Sequence, residues 1–296
     1  MSDSPEKKNE EGYGTTGHSW DGIEEWNNPL PRWWVWTFYV TIIWAVLYTI
    51  AYPAWPLVST ATSGLLGYSS RAEVEEQIGE VAARNAAITE RLASVDLAAL
   101  SDDTELQTFA VNAGASVFRS HCSQCHGSGA AGVAASGYPN LLDNAWLWGG
   151  QIEEIAYTVR HGIRNEQSFD AHWSEMTAFE GLISDEEISQ VVNHVLAISG
   201  QEHDAALAEE GELVFLDNCA ACHGDNGEGN HDLGAPTLND AIWLYGGDPE
   251  TIEETVRYSR FGVMPAWSEE YRGAAGLTDA EVNAVAAYVH QLGGGE

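Results

Sequence analysis

Polar and apolar positions divide the first third of the chain into four stretches. Residues 1–32 are polar, include Gly12, Gly14, Gly17 and Gly22, and predict a largely extended or disordered segment. Residues 33–52 carry no charge. At about 1.5 Å rise per residue this run spans roughly 30 Å as a helix, the thickness of a bilayer's hydrocarbon core. Trp33, Trp34 and Trp36 crowd one end and Tyr52 and Trp55 the other, as two aromatic belts would. Pro53 and Pro56 then stop the helix. A cleaved signal peptide would have a basic start and a shorter apolar core; this run follows 32 mostly polar residues in which acidic outnumber basic, and reads as an uncleaved anchor, 33–56. Residues 57–70 are small and polar, a linker. Residues 71–93 place Val74, Ile78, Val81, Ile88 and Leu92 at helical spacing among charged residues. That amphipathic stripe must rest on this protein or on a neighbour.

From about residue 105 one pattern runs twice at an offset of 97 residues, so that Gly114, Phe118 and Cys122 match Gly211, Phe215 and Cys219. Pro139 matches Pro236, Trp146-Leu-Trp148-Gly149-Gly150 matches Trp243-Leu-Tyr245-Gly246-Gly247, and Val159-Arg160 matches Val256-Arg257. The glycine before each motif predicts close approach of another helix. Each copy ends in a helix opened by a capping box, Ser184-Asp-Glu-Glu187 and Thr278-Asp-Ala-Glu281. Ile188, Val191, Val192, Val195 and Leu196 face one way on the first closing helix, and Val282, Val285, Tyr288, Val289 and Leu292 on the second. No strand pattern occurs in either copy. The expected fold is therefore all-α: one N-terminal transmembrane helix, a linker and amphipathic helix over 57–104, then two tandem helical domains, 105–200 and 205–296.

The chemistry lies in the repeat. Cys122-Ser-Gln-Cys125-His126 recurs as Cys219-Ala-Ala-Cys222-His223, and together these use all 4 cysteines. C-x-x-C-H is the attachment sequence of a c-type haem: both thiols bond the porphyrin and the imidazole binds its iron. A zinc site pooling both copies is the rival reading, but a His directly after the second Cys is not usual zinc spacing. A thioredoxin-like pair would need a βαβ pattern that is not present. Of 3 methionines, Met176 and Met264 lie one downstream of each motif, where a thioether would complete the iron's coordination. Pro139 and Pro236 could fix the loop that accepts the axial histidine's ring N–H. Trp146, Trp148, Trp243, Tyr245, Arg160 and Arg257 are candidates to wall the haems and neutralise their propionates.

With 45 acidic and 12 basic residues, the formal net charge of −33 excludes nucleic acid as a partner. Lys7, Lys8 and Arg32 flank the N-terminal side of the apolar run, and the next basic residue is Arg71. That bias expects a cytoplasmic N-terminus with everything after residue 56 outside, where haem is attached to thiols.

The order helix, C-x-x-C-H, loop, Met, helix resembles class I cytochromes c in tandem. Gly17-His-Ser-Trp-Asp-Gly-Ile-Glu-Glu-Trp26, Asn28-Pro-Leu-Pro-Arg-Trp-Trp34 and Ala51-Tyr-Pro-Ala-Trp-Pro56 resemble the anchored dihaem subunit of cbb3-type cytochrome c oxidases, the CcoP/FixP family. So do Tyr138-Pro-Asn-Leu, His161-Gly-Ile-Arg164 and Val263-Met-Pro-Ala-Trp267. The resemblance implies two covalent haem c groups and a relay of electrons from donor cytochromes c, with no chemistry of the chain's own. It implies as partners a catalytic haem–copper subunit and a monohaem c-type subunit in a bacterial inner membrane, the haem domains being periplasmic. One departure stands out: Ser174-Glu-Met176-Thr-Ala-Phe179 has Thr177 where the family has proline. The alternatives to Met176 are His172 and, more weakly, His161. Two other functions stay open on sequence, a free anchored dihaem carrier and a dihaem peroxidase with one open iron site.

The charge makes the first prediction. Self-repulsion at −33 opposes the folded state, and salt screens it. The unfolding midpoint of the purified protein should rise as NaCl is increased; a midpoint indifferent to salt would show that repulsion is not limiting.

Overall fold

A computed structural model describes Lys8 and residues 10–294. Lys7, used above, lies outside the described residues. The chain divides into two compact units, Met1–Ala83 and Arg84–Glu296.

The first unit begins with a two-stranded antiparallel hairpin, β1 (Thr15–Trp20) and β2 (Ile23–Trp26). The hairpin gives residues 15–26 a paired form within the segment expected to be largely extended or disordered; beyond it the described chain is helical, as expected. The turn is Asp21-Gly22, both at positive φ (51° and 83°), the pair that a two-residue hairpin turn with right-handed strand twist demands. Helix α1 (Arg32–Ala51) follows Pro31 and stops before Pro53, and none of its residues is buried. It is apolar all round and long enough to cross a membrane. The loop after it returns so that Leu65 and Leu66 amides donate to the Ile50 and Ala51 carbonyls, satisfying acceptors a helix end leaves open.

Helix α2 (Ser70–Ser94) carries the amphipathic stripe. Ile88 and Leu92 pack with Leu100, Leu106, Ala110 and Ala284 in the second unit. Val74, Ile78 and Val81, in the first, are 53, 63 and 45% exposed. The C-terminal part of the stripe thus rests on this protein, and the N-terminal part is exposed.

The second unit continues with α3 (Thr104–Val117), a wide turn Phe118–Cys122, α4 (Ser123–His126), α5 (Ile152–His161) and α6 (Asp185–Ile198). The second copy supplies α7 (Ala205–Asn218), α8 (Ala220–His223), α9 (Pro249–Tyr258), α10 (Glu269–Arg272) and α11 (Asp279–His290). Both capping boxes are formed.

The packing does not follow the division at 200–205. α3 and α5 of the first copy pack on α11 of the second, around Phe118, Ile155, Val159, Val282, Val285 and Val289. α6 of the first packs on α7 and α9 of the second, around Ile188, Val191, Val195, Phe215, Ile252 and Val256. Equivalent contacts cross reciprocally: Tyr288 lies on Phe118 (5.4 Å between ring centroids) and His194 on Phe215 (5.1 Å). The cause is the short connection over 199–204. Helices joined so briefly become antiparallel neighbours, so the first copy's closing helix pairs with the second copy's opening one. α3 is left for α11.

The glycines of the opening helices permit these crossings. A Cβ at Gly114 would overlap the Ala284 carbonyl, and one at Gly211 the Gln190 carbonyl. Gly114→Ala and Gly211→Ala should each destabilise the protein, overpacking of about 1–3 kcal/mol outweighing the gain in helix propensity. Gly79→Ala in α2, where a Cβ meets nothing within 4 Å, should be neutral or stabilising by up to about 1 kcal/mol. Thermal unfolding of the three variants checks the contrast.

Candidate haem clefts

The turn Phe118–Cys122 and the short helix α4 bring Cys122, Cys125 and His126 together; α8 and the residue before it do the same for Cys219, Cys222 and His223. Beyond each histidine the chain leaves through Gly127 and Gly224, at φ of 79° and 77°. The loop then folds back, the Gly132 amide donating to the His126 carbonyl (2.9 Å) and the Gly229 amide to that of His223 (2.8 Å).

His126 Nδ1 lies 3.3 Å from the Pro139 carbonyl oxygen, and His223 Nδ1 lies 3.0 Å from that of Pro236. A carbonyl only accepts, so Nδ1 carries the proton and Nε2 keeps its lone pair. Burial pushes both imidazoles below the ordinary histidine pKa, against the opposing pull of the carbonyl bond. Each ring is therefore neutral and fixed in orientation, as an iron ligand must be. Burial, and secondarily the companion cysteine, pushes the Cys122 and Cys219 thiols up to about 11.

Two clefts open beside these motifs. Cys122, His126, Pro139, Trp146, Ile155, Val159, Val285 and Met264 line the first. Cys219, Cys222, His223, Pro236, Trp243, Ile252, Val256 and Met176 line the second. The methionines are exchanged relative to the sequence order, which paired Met176 with His126 and Met264 with His223. Backbone bonds hold the methionines in these places. Met264 and Ile163 exchange both amide–carbonyl bonds (3.0 and 2.9 Å), and the Trp267 amide donates to Val159. Reciprocally, Phe179 and Glu180 amides donate to Val256 and Arg257, and the Ser259 hydroxyl donates to the Met176 carbonyl (2.8 Å). These bonds hold the Met176 loop in spite of Thr177.

His172 and His161 line neither cleft. His172 stacks on Trp148 at 4.4 Å with Nε2 3.2 Å from the Thr158 hydroxyl, while His161 Nδ1 lies 2.9 Å from the Tyr271 hydroxyl. Trp146 and Trp148 do wall the first cleft, and Trp243 and Tyr245 the second. Arg160 and Arg257 do not. Arg160 pairs with Asp279, and Arg257 with Asp185 (2.7 Å), Glu180 (2.8 Å) and Glu253 (2.8 Å). The arginines that line a cleft are Arg164 and Arg260, both in the second. Arg164 was visible only as the end of the His161-Gly-Ile-Arg164 motif. Leu147 lines both clefts, a placement with no sequence signal.

Two thiols, a neutral imidazole with free Nε2, a thioether and apolar walls form a donor set that fits a covalent c-type haem in each cleft. No group of three or more His, Cys, Asp or Glu side chains gathers as a metal site among the described residues, so the pooled zinc reading finds no support.

Comparison with known proteins agrees. Residues 12–59 match the model for the N-terminal domain of cytochrome oxidase-cbb3, FixP, and residues 109–195 that for cytochrome c oxidase, cbb3-type, subunit III. Residues 208–293 match the model for cytochrome c. The cbb3-type cytochrome c oxidase subunit CcoP of Cereibacter sphaeroides is 58% identical across 100% of both chains. That of Rhodobacter capsulatus is 52% identical, again across 100% of both, and subunit FixP of Sinorhizobium medicae is 47% identical across 96% of each. The chain belongs to the CcoP/FixP family. A member of that family is a cytochrome c electron-transfer subunit of a cbb3-type oxidase, carries two covalently bound haem c groups and works in a complex with other oxidase subunits. The apolar helix α1 is its candidate membrane anchor.

Proposed function

We propose that this chain relays electrons from donor cytochromes c to the haem–copper catalytic subunit of a cbb3-type oxidase through two haems with exchanged axial methionines. Cys122 and Cys125 hold one haem, with His126 and Met264 as axial ligands. Cys219 and Cys222 hold the other, with His223 and Met176. The observation that carries the assignment is the gathering around one apolar cleft of Cys122, His126 and Met264, with Cys125 in the adjoining α4, and around the other of Cys219, Cys222, His223 and Met176.

Bound haem supplies reversible one-electron chemistry. The residues' part is to bind, orient and exclude water. The Pro139 and Pro236 carbonyls keep each imidazole proton on Nδ1 and aim Nε2 inward. Met264 and Met176, each from the other copy, would supply a thioether to the iron opposite the imidazole, which supports a carrier over a peroxidase. Side chains from Phe118, Ile155 and Val285 in one cleft, and Val195, Ile252 and Val256 in the other, keep the surroundings apolar. Leu147 lines both clefts, so they lie side by side.

Anchoring follows from α1, with Lys8 and Arg32 favouring a cytoplasmic N-terminus and periplasmic haem domains in a bacterial inner membrane. A monohaem c-type subunit and the catalytic subunit are the expected neighbours. Purification in mild detergent tests this: the chain should co-elute with a large haem–copper subunit, whereas elution alone would favour a free-standing carrier.

Exchanged ligation has its own test. In a chain whose second motif is disabled by Cys219→Ala and Cys222→Ala, Met264→Ala should abolish the far-red methionine–iron band of the remaining haem. Met176→Ala in the same background should leave that band intact. The opposite pattern would restore ligation in sequence order.

A further inference from the structure

Arg164 is the outlier among the arginines around the clefts. Arg91, Arg160, Arg257 and Arg260 each pair with a carboxylate. Arg164 has no ion pair with a carboxylate among the described residues. It is half-buried, burial depresses its pKa, and it lines the second cleft. Nε donates to the Gly262 carbonyl (2.7 Å) and Nη1 to that of Ser174 (2.6 Å), which fixes the guanidinium without neutralising it. The backbone is held at φ +48°, a left-handed conformation costly for a residue with a side chain. Its amide donates to the His172 carbonyl (2.8 Å). A positioned, half-buried cation that lines a cavity, over the Phe261 ring and without a carboxylate at ion-pair distance, can take an anion there.

We propose that Arg164, a residue of the first copy, binds a propionate carboxylate of the haem attached to Cys219 and Cys222 of the second. This deepens the ligation proposed above and rests on it. The other charged groups on this cleft are Arg260, already paired with Glu254, and the exposed Glu175, so the net bias falls to Arg164. The first cleft has no charged residue among its lining residues. A fixed cation beside a haem favours the reduced form, which carries one more electron. The potential of the second haem is therefore set in part by an arginine from the opposite repeat, delivered by the same exchange that delivers Met176.

Spectropotentiometric titration of the full two-haem protein in detergent tests the assignment. Arg164→Gln should shift the reduction equilibrium of one haem about tenfold towards the oxidised form, roughly 59 mV for one electron, and leave the other unmoved. The haem that moves should be the one whose potential falls in Met176→His, not in Met264→His. Arg164→Lys keeps the charge without the planar fork and should lie between wild type and Gln; it also serves if the Gln variant fails to retain haem. Equal shifts at both haems, no shift, or a shift at the haem governed by Met264 would overturn the role of Arg164. If Met176→His instead leaves the methionine–iron band intact, the ligation itself is wrong and Arg164 loses its haem with it.

Discussion

Residues 199–204 join the first copy's closing helix to the second copy's opening one, and the organisation of the haem-bearing unit follows from that brevity. α6 and α7 have no length in which to separate, so they fold back as an antiparallel pair, with the Gly211 face pressed on Gln190. Once α6 is committed to α7, the opening helix α3 must bury Phe118 elsewhere. The remaining unpartnered apolar face belongs to α11, whose Val282, Val285 and Val289 are almost wholly buried against it. The methionine loops travel with the closing helices, and each reaches the other copy's cleft.

The same exchange explains the arginines that the repeat placed at equivalent positions. Arg160 meets Asp279 and Arg257 meets Asp185, the first residues of the two closing helices, across the copies in both directions. A cation next to a helix N-terminus is unfavourable by itself, and the aspartates between reverse that. Asp185 and Asp279 are 86 and 60% exposed, so these pairs contribute little stability. Their service is to register: each pins a helix start beside the strand-like backbone bonds that set the methionine. In a chain with so few basic residues, spending two on this junction leaves Arg164 as the cation for a cleft.

Much of this was legible in the sequence, and the boundary has a physical reason. The apolar helix, the two C-x-x-C-H motifs, the carbonyls that accept the histidine protons and both capping boxes are local patterns. Local geometry decides them, and the structure has each of them. The Asp21-Gly22 hairpin was also local, but the flanking Thr15-Thr-Gly-His-Ser-Trp20 lacks clear alternation, and glycine content outweighed the turn signal. Which copy packs on which is a different kind of fact. Because α6 and α11 present similar apolar faces, periodicity satisfies either pairing equally well, and only the connection length discriminates. Arg164 was hidden for the same reason: its cleft is not the one its sequence neighbours suggest.

An exchanged pair of clefts constrains electron relay in a way that two beads on a string would not. Separate domains can move about a linker, so their haem spacing would vary. Here neither cleft is complete without the other copy, and opening one would withdraw its methionine and its closing helix together. Contacts across the middle are equally reciprocal: Trp148 lies on Gly234 and Tyr245 on Gly137, each place too close for any side chain but glycine. With Leu147 shared between them, the separation of the two clefts is fixed by packed atoms rather than by a hinge. A rigid separation would keep the electronic coupling between the haems constant. The structure thus obtains a single-valued transfer step from the shortness of one connection.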